Sequence, residues 1–200
     1  GVTHHDEDVG IKEILGLSVE IQHPSTVDPI IQKIGDKAVI NRMLNKFSKG
    51  IVMGDRPFTY GDRIYSHSGV DQFEWLAERL TQKPESKSAT IGLLISGDTH
   101  PNLPCLTTVD VKIRNKEMHL QFFYRSQNIL GRQYANLVAL ANLQSDLAER
   151  CSVNMGKLKG YVASAHIYEF DLIQAQNIVS GSAELIVDQY YKKGPESIRS

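Results

Sequence analysis

The chain has 200 residues, which is one domain's worth and long enough to bury about 70% of the surface its unfolded form would expose. Its 22 Lys and Arg balance 23 Asp and Glu for a formal net charge of −1, which excludes the global basic excess of a protein that lives on nucleic acid or an anionic membrane. An apolar content of 41%, with no run near the roughly 18 residues of a membrane span, makes it a soluble globular chain. The two cysteines rule out both a disulfide framework and a four-cysteine zinc site. No secretory signal opens the sequence, so the expected setting is the cytoplasm.

Residues 1 to 10 are polar and unpatterned and read as a terminal arm, within which His4, His5 and Asp6 match no specific metal spacing. Ile11 to Ile21 is a short segment ended by the turn signals His23-Pro24-Ser25-Thr26. Asp28 to Phe47 places Ile30, Ile34, Ala38, Ile40 and Leu44 at helical spacing. Val70 to Thr81 does the same with Phe73, Leu76, Ala77 and Leu80, opposite Asp71, Glu74 and Arg79. Trp75 falls on this second helix and is expected in the core.

After Pro84-Glu85-Ser86 the period changes. Thr90 to Ser96 is a strand-length apolar run. Cys105 to Arg114 alternates Val109, Val111 and Ile113 with Asp110, Lys112 and Arg114. Glu117 to Arg125 alternates Met118, Leu120, Phe122 and Tyr124 with His119, Gln121, Phe123 and Arg125. Asn115-Lys116 is then a two-residue hairpin turn. Gln133 to Arg150 carries an apolar side wide enough for a largely buried helix, and a last strand is expected from Gly160 to about Phe170. No repeat or linker divides the chain, so residues 1–200 are expected to form a single domain of α+β class.

The hairpin register has a chemical consequence. With Arg114 opposite Glu117, Arg125 is expected opposite Leu106, and Cys105 opposite Ser126. A guanidinium beside a thiol favours the nucleophilic thiolate, and its planar fork can hold a phosphate. The alternative for Cys105 is a buried structural cysteine, as expected for Cys151. His166 and Tyr168, two apart on the last strand, share a face. They are either half-buried polar residues with internal partners or hydrogen-bonding groups for a sugar hydroxyl. The dinucleotide, P-loop, zinc-protease and serine-hydrolase motifs are all missing.

Pro104-Cys105, Tyr124-Arg125-Ser126-Gln127-Asn128, Asn136 and His166-Ile167-Tyr168 resemble, in order and spacing, the thymidylate synthase family, which includes the pyrimidine nucleotide hydroxymethylases. The likeness runs from about Tyr60 to Tyr168, with Thr59-Tyr60-Gly61-Asp62-Arg63 and Pro84-Glu85-Ser86-Lys87 as weaker matches. It implies a mixed β-sheet with flanking helices and a sheet-to-sheet homodimer. It also implies methylene-tetrahydrofolate as one-carbon donor, and a Cys105 thiolate that adds to C6 of a pyrimidine nucleotide. By the same resemblance Arg125, Ser126 and the partner's copy of Lys87 hold phosphate. Asn136 reads the pyrimidine edge and favours uracil, while His166 and Tyr168 contact the sugar; Tyr60, Gln127 and Asn128 complete the substrate site.

Methylation of a uridylate is the leading expectation. A hydroxymethylase acting on CMP, dCMP or dUMP, or a nucleotide-binding protein without catalysis, is the alternative. Three departures bear on the choice. Ser88 follows Lys87 where two adjacent arginines are expected, and Asn128 stands where the family has an aspartate. No glutamate occurs between Glu20 and Glu74 to act as the catalytic carboxylate, so either Glu13 or Glu20 serves or that role is missing.

Overall fold

The computed structural model describes residues 1–6, 8–54, 57–100 and 102–181. They form a mixed sheet of seven strands: β1 (Val2–Asp6), β2 (Val9–Ile21), β3 (Thr90–Gly92), β4 (Leu106–Arg114), β5 (Glu117–Tyr124), β6 (Gln127–Asn128) and β7 (Asn154–Tyr168). The order across the sheet is β1-β2-β7-β5-β4-β3, with β6 also pairing to β7. β5 and β6 run parallel to β7, and the remaining pairs are antiparallel. Six helices flank it: α1 (Pro29–Ile34), α2 (Lys37–Phe47), α3 (Tyr60–Tyr65), α4 (Gln72–Gln82), α5 (Tyr134–Arg150) and α6 (Leu172–Ser180). This is the expected α+β class with helices around a mixed, open sheet. The expected single domain includes residues 182–200, which lie outside the described residues. Among the described residues no helix is long and apolar enough to cross a membrane.

The hairpin follows its alternation. Val109, Val111, Ile113, Met118, Leu120, Phe122 and Tyr124 are all buried. Asn115 and Lys116 both take positive φ, 53° and 63°, the backbone of a type I′ turn that matches strand twist. Arg114 therefore sits opposite Glu117 as expected. α5 crosses from β6 back to β7 and buries Ala135, Val138, Ala139, Leu140, Leu143 and Leu147 against the sheet. Within it the buried Gln144 amide donates to the carbonyls of Met118 (2.7 Å) and Gly156 (3.0 Å), bridging β5 and β7 where their parallel register slips. Gly160 lies opposite Phe122, whose ring would sit 2.1 Å from a Cβ there, so only glycine lets the two strands pair over that ring.

Several elements differ from their expected form. Residues 1 to 10, expected as a terminal arm, contain β1 and the start of β2, with Val2 opposite Glu13 and Asp6 opposite Val9. β1 is exposed along its whole length, so it carries no apolar alternation to betray it. The helix expected over 28–47 is two helices, because the Asp36 carboxylate accepts from the amides of Ala38 and Val39 and starts α2 afresh after Gly35. The strand expected over 90–96 is paired only over Thr90–Gly92, and the last strand begins earlier, at Asn154. Trp75 is 39% exposed on α4 rather than in the core, which is filled from that helix by Leu76, Ala77 and Leu80.

Candidate functional site

Cys105 stands immediately before β4, at the end of the hairpin remote from the turn. The register here is not the expected one. Thr108 faces Phe123, but Leu106 faces Tyr124, so Thr107 is an extra residue in β4. Its carbonyl accepts from the Leu93 amide at 2.8 Å on the other side, a bond that pulls it out of the β4–β5 ladder. The Cys105 carbonyl consequently accepts from the amide of Arg125 (2.9 Å), and the expected pairings of Cys105 with Ser126 and Arg125 with Leu106 are each displaced by one residue.

The displacement sorts the two side chains beyond Tyr124. Ser126 joins Cys105 in lining a cavity of about 770 Å³, together with Tyr60, Gln127, Asn128, Asn136, His166 and Tyr168. Arg125 is outside it. Its Nε and Nη2 donate to the carbonyls of Pro104 (3.1 Å) and Leu103 (2.9 Å), so in this state the guanidinium clamps the segment that leads into Cys105. Lys87 also lies away from this cavity, exposed on a segment whose neighbours Ser86 and Ser88 are held by Arg79 of α4.

Each wall has its own mechanical reason. Tyr60 opens α3, which is fixed by reciprocal bonds between Thr59 and Asp62; its hydroxyl accepts from the Leu106 amide at 3.2 Å and its ring lies 3.9 Å under the Lys46 ammonium. Gln127 and Asn128 form β6, in register with Ala165 and His166 of β7. The Asn128 side chain accepts from the Gly131 amide at 2.7 Å, capping a π-helical turn over Ile129–Gln133 that precedes α5. Asn136 follows on the first turn of α5. It is 4% exposed, lines the cavity, and its Oδ1 is buried without a hydrogen-bond partner. An unpaired buried carbonyl costs roughly 1–3 kcal/mol, and a ligand N–H placed against it would recover that cost.

Tyr124 is fully buried beneath the cavity. Burial, reinforced by Tyr60 and Cys105, holds its phenol far above its ordinary ionisation range. His166 and Tyr168 share one face, as expected, with rings edge to face at 5.3 Å; Phe170 stacks on the far side of Tyr168 at 5.3 Å.

Five charged side chains in the cavity were not foreseen: Arg42 and Lys46 from α2, Arg132, Asp6 and Asp171. Val39, Arg42, Met43 and Lys46 recur at one helical face, a spacing present in the sequence but not singled out by the apolar positions that marked this helix. Neither expected carboxylate is present. Glu13 accepts from the Ser164 hydroxyl and belongs to a separate surface pocket. Glu20 is paired with Lys157 and Lys159, whose hydrogen bonds hold its carboxyl down at about 2. The cavity's own carboxylates are Asp6 and Asp171. His4 and Asp6 lie on one face of β1 and His5 on the other, and among the described residues no three potential metal ligands gather.

A second pocket of about 620 Å³, lined by Ile31, Ile34, Ile129, Leu130, Ile178 and other mostly apolar residues, adjoins the first and shares Val39, Gly131 and Asp171 with it.

The thymidylate synthase family model matches residues 37–187, which includes every wall of the Cys105 cavity except β1. The chain belongs to the thymidylate synthase family. Relatives bearing the printed name "Putative thymidylate synthase" include one from Methanosarcina mazei, 36% identical over 178 residues, which covers 86% of this chain and 80% of that protein. The Methanosarcina acetivorans relative is 35% identical with the same coverage. That of Methanothermobacter thermautotrophicus is 33% identical over 144 residues, or 68% of this chain and 64% of the relative. Thymidylate synthase family membership makes this chain a transferase by type, one that acts on a pyrimidine nucleotide.

Proposed function

We propose that the protein transfers a one-carbon unit to C5 of a uridine nucleotide through a covalent Cys105 adduct. The observation that carries this is a nucleophile-bearing cavity in which a buried amide carbonyl, Asn136 Oδ1, lacks a partner. A uracil ring presents N3–H and O4 side by side, and an asparagine amide complements both with one acceptor and one donor. With the amide oriented as it is here, a cytosine in the same pose would set its acceptor N3 against that carbonyl, so this orientation of Asn136 favours uracil.

The chemistry of the chain's own residues is then specific. The Cys105 thiolate attacks C6, forming the C–S bond and moving the C5–C6 electron pair into an enolate over C5 and O4. C5 becomes a nucleophile; after C5 substitution its proton is lost, and the C–S bond breaks as the ring double bond re-forms. Asp171 is the cavity carboxylate available to take up that proton or to order water for it, since Asp6 already accepts from Tyr168. Ser126 and the basic wall of Arg42, Lys46 and Arg132 supply hydroxyl and cationic contacts for phosphate, joined in the family's homodimer by the partner's Lys87.

Methylene-tetrahydrofolate supplies the one-carbon unit when bound. The adjoining apolar pocket, continuous with the Cys105 cavity at Val39, Gly131 and Asp171, suits a large aromatic carrier. Exposed Phe123 and Tyr161, stacked at 5.5 Å on the sheet face away from the helices, suit a sheet-to-sheet homodimer. Both cysteines are free thiols, which fits a cytoplasmic setting.

A second reading, nucleotide binding without carbon transfer, draws on Asn128, an uncharged amide whose Oδ1 accepts from the Gly131 amide where a charged carboxylate is expected. One assay decides between them. Incubation with 5-tritiated dUMP, UMP, dCMP or CMP and methylene-tetrahydrofolate should release tritium from a uracil nucleotide. Release no higher than that of Cys105→Ala on all four substrates would leave only binding, and product mass separates methylation from hydroxymethylation.

A further inference from the structure

The family resemblance gives Tyr168 to the sugar of the nucleotide but leaves the sense of its hydrogen bond open. Asp6 decides it. Tyr168 Oη donates to Asp6 Oδ2 at 2.9 Å, and both residues line the Cys105 cavity. A phenol has one proton to donate, so a hydroxyl committed to a carboxylate meets a further partner with its lone pairs.

The geometry that brings the pair together is set by strand register rather than chance proximity. Tyr168 and His4 both lie opposite Ile11 on β2, one on each side of it, and Asp6 follows His4 by two residues on the same face of β1. Tyr168 therefore reaches diagonally across β2 to the end of β1. Its ring is held on both sides, by the edge of His166 and the stacked Phe170, each at 5.3 Å between ring centres. A side chain gripped in this way cannot easily turn its hydroxyl elsewhere.

We infer that Asp6 is a positioning residue that fixes Tyr168 as a hydrogen-bond acceptor, so that β1 selects nucleotides whose sugar carries a donating hydroxyl. This rests on the nucleotide reading above. A hydroxyl group donates to that acceptor, whereas a sugar lacking it forgoes the bond.

Calorimetry with UMP, dUMP and 2′,3′-dideoxyuridine 5′-monophosphate tests it on four proteins: wild type, Asp6→Ala, Tyr168→Phe and the double variant. Wild type should prefer the better of the two hydroxyl-bearing nucleotides over the dideoxy nucleotide by about tenfold, the worth of one hydrogen bond. In Asp6→Ala the loss of affinity should fall on the hydroxyl-bearing nucleotides and reduce that preference to about twofold. In the Tyr168→Phe background the same change should add nothing, which a merely structural role for Asp6 would not produce. Equal weakening toward all three nucleotides in Asp6→Ala, or an undiminished preference, would overturn the positioning role while leaving the nucleotide reading standing. If wild type binds none of the three, the nucleotide reading fails and this inference fails with it.

Discussion

Cys105 and Cys151 are both half-buried free thiols, and they occupy opposite kinds of place. Cys151 ends α5 and is packed toward α4, its Sγ donating to the Ala77 carbonyl at 3.8 Å, within reach of the Thr81 hydroxyl at 4.0 Å. Burial pushes that thiol up, away from the nucleophilic thiolate. Cys105 instead precedes a strand whose bulge at Thr107 sets its register, and it opens into a cavity with polar groups from β6, α5 and β7. The difference teaches that residue type and burial class do not distinguish a working cysteine from a packing one. What separates them is whether the backbone stops pairing in time to leave room for a ligand.

The comparison can be broken most sharply by deleting each thiol in turn. Cys105→Ala should lower tritium release by about 10³-fold or more, whereas Cys151→Ala should stay within about twofold; comparable losses from both would erase the contrast. The packing role of the Cys151 region is probed by its neighbour Leu147, which is fully buried. Leu147→Ala should cost about 2–5 kcal/mol in urea unfolding, while Cys105→Ala should cost under about 1 kcal/mol, as expected at a cavity wall.

On the Cys105 side, Asn136→Asp should shift preference from uracil toward cytosine nucleotides by about tenfold in kcat/KM, since a protonated carboxyl can donate to cytosine N3. An unchanged preference would mean that Asn136 does not read the base.

The pH response of Cys151 is smaller. Its thiol pKa is higher folded than unfolded, so its contribution is intact below the unfolded value near 8.5 and is lost as pH rises through the folded value. The urea midpoint of wild type should therefore fall more steeply between about pH 8 and 10 than that of Cys151→Ala, and parallel slopes would remove the burial argument. The smallest effect is expected from Glu20→Gln, within about twofold in activity, because its partners are Lys157 and Lys159 on the sheet rather than the cavity.

How much of this was legible in the sequence depended on whether the cause was local. The hairpin was, because alternation and the Asn115-Lys116 turn are properties of neighbouring residues, and the turn indeed takes the positive φ angles such a loop needs. The bulge was not, since Thr107 is engaged by Leu93, fourteen residues earlier and just beyond the end of β3. The shifted register goes with Ser126 lining the cavity and Arg125 lying outside it.

β1 was illegible for the opposite reason: exposed throughout, it has no apolar face to show, so Asp6 passed for a solvated terminal residue. The break at Gly35-Asp36 did carry a local signal, a glycine followed by a capping aspartate, that helical periodicity overrode. The cavity residues recognised through motif spacing, Cys105, Ser126, Gln127, Asn128, Asn136, His166, Tyr168 and Tyr60, are brought together, while the unforeseen Arg42 and Lys46 come from α2, a helix whose packing against α5 no local pattern reveals.

The central claim, that Cys105 is the covalent nucleophile, is tested most directly by intact-protein and peptide mass spectrometry after incubation with 5-fluoro-2′-deoxyuridine 5′-monophosphate and methylene-tetrahydrofolate. Fluorine at C5 cannot leave as a proton does, so the adduct is trapped. The expected result is one added nucleotide and one carbon carrier on the peptide that contains Cys105, and none on that of Cys151. No adduct in the wild-type protein, or one that survives Cys105→Ala, would contradict it.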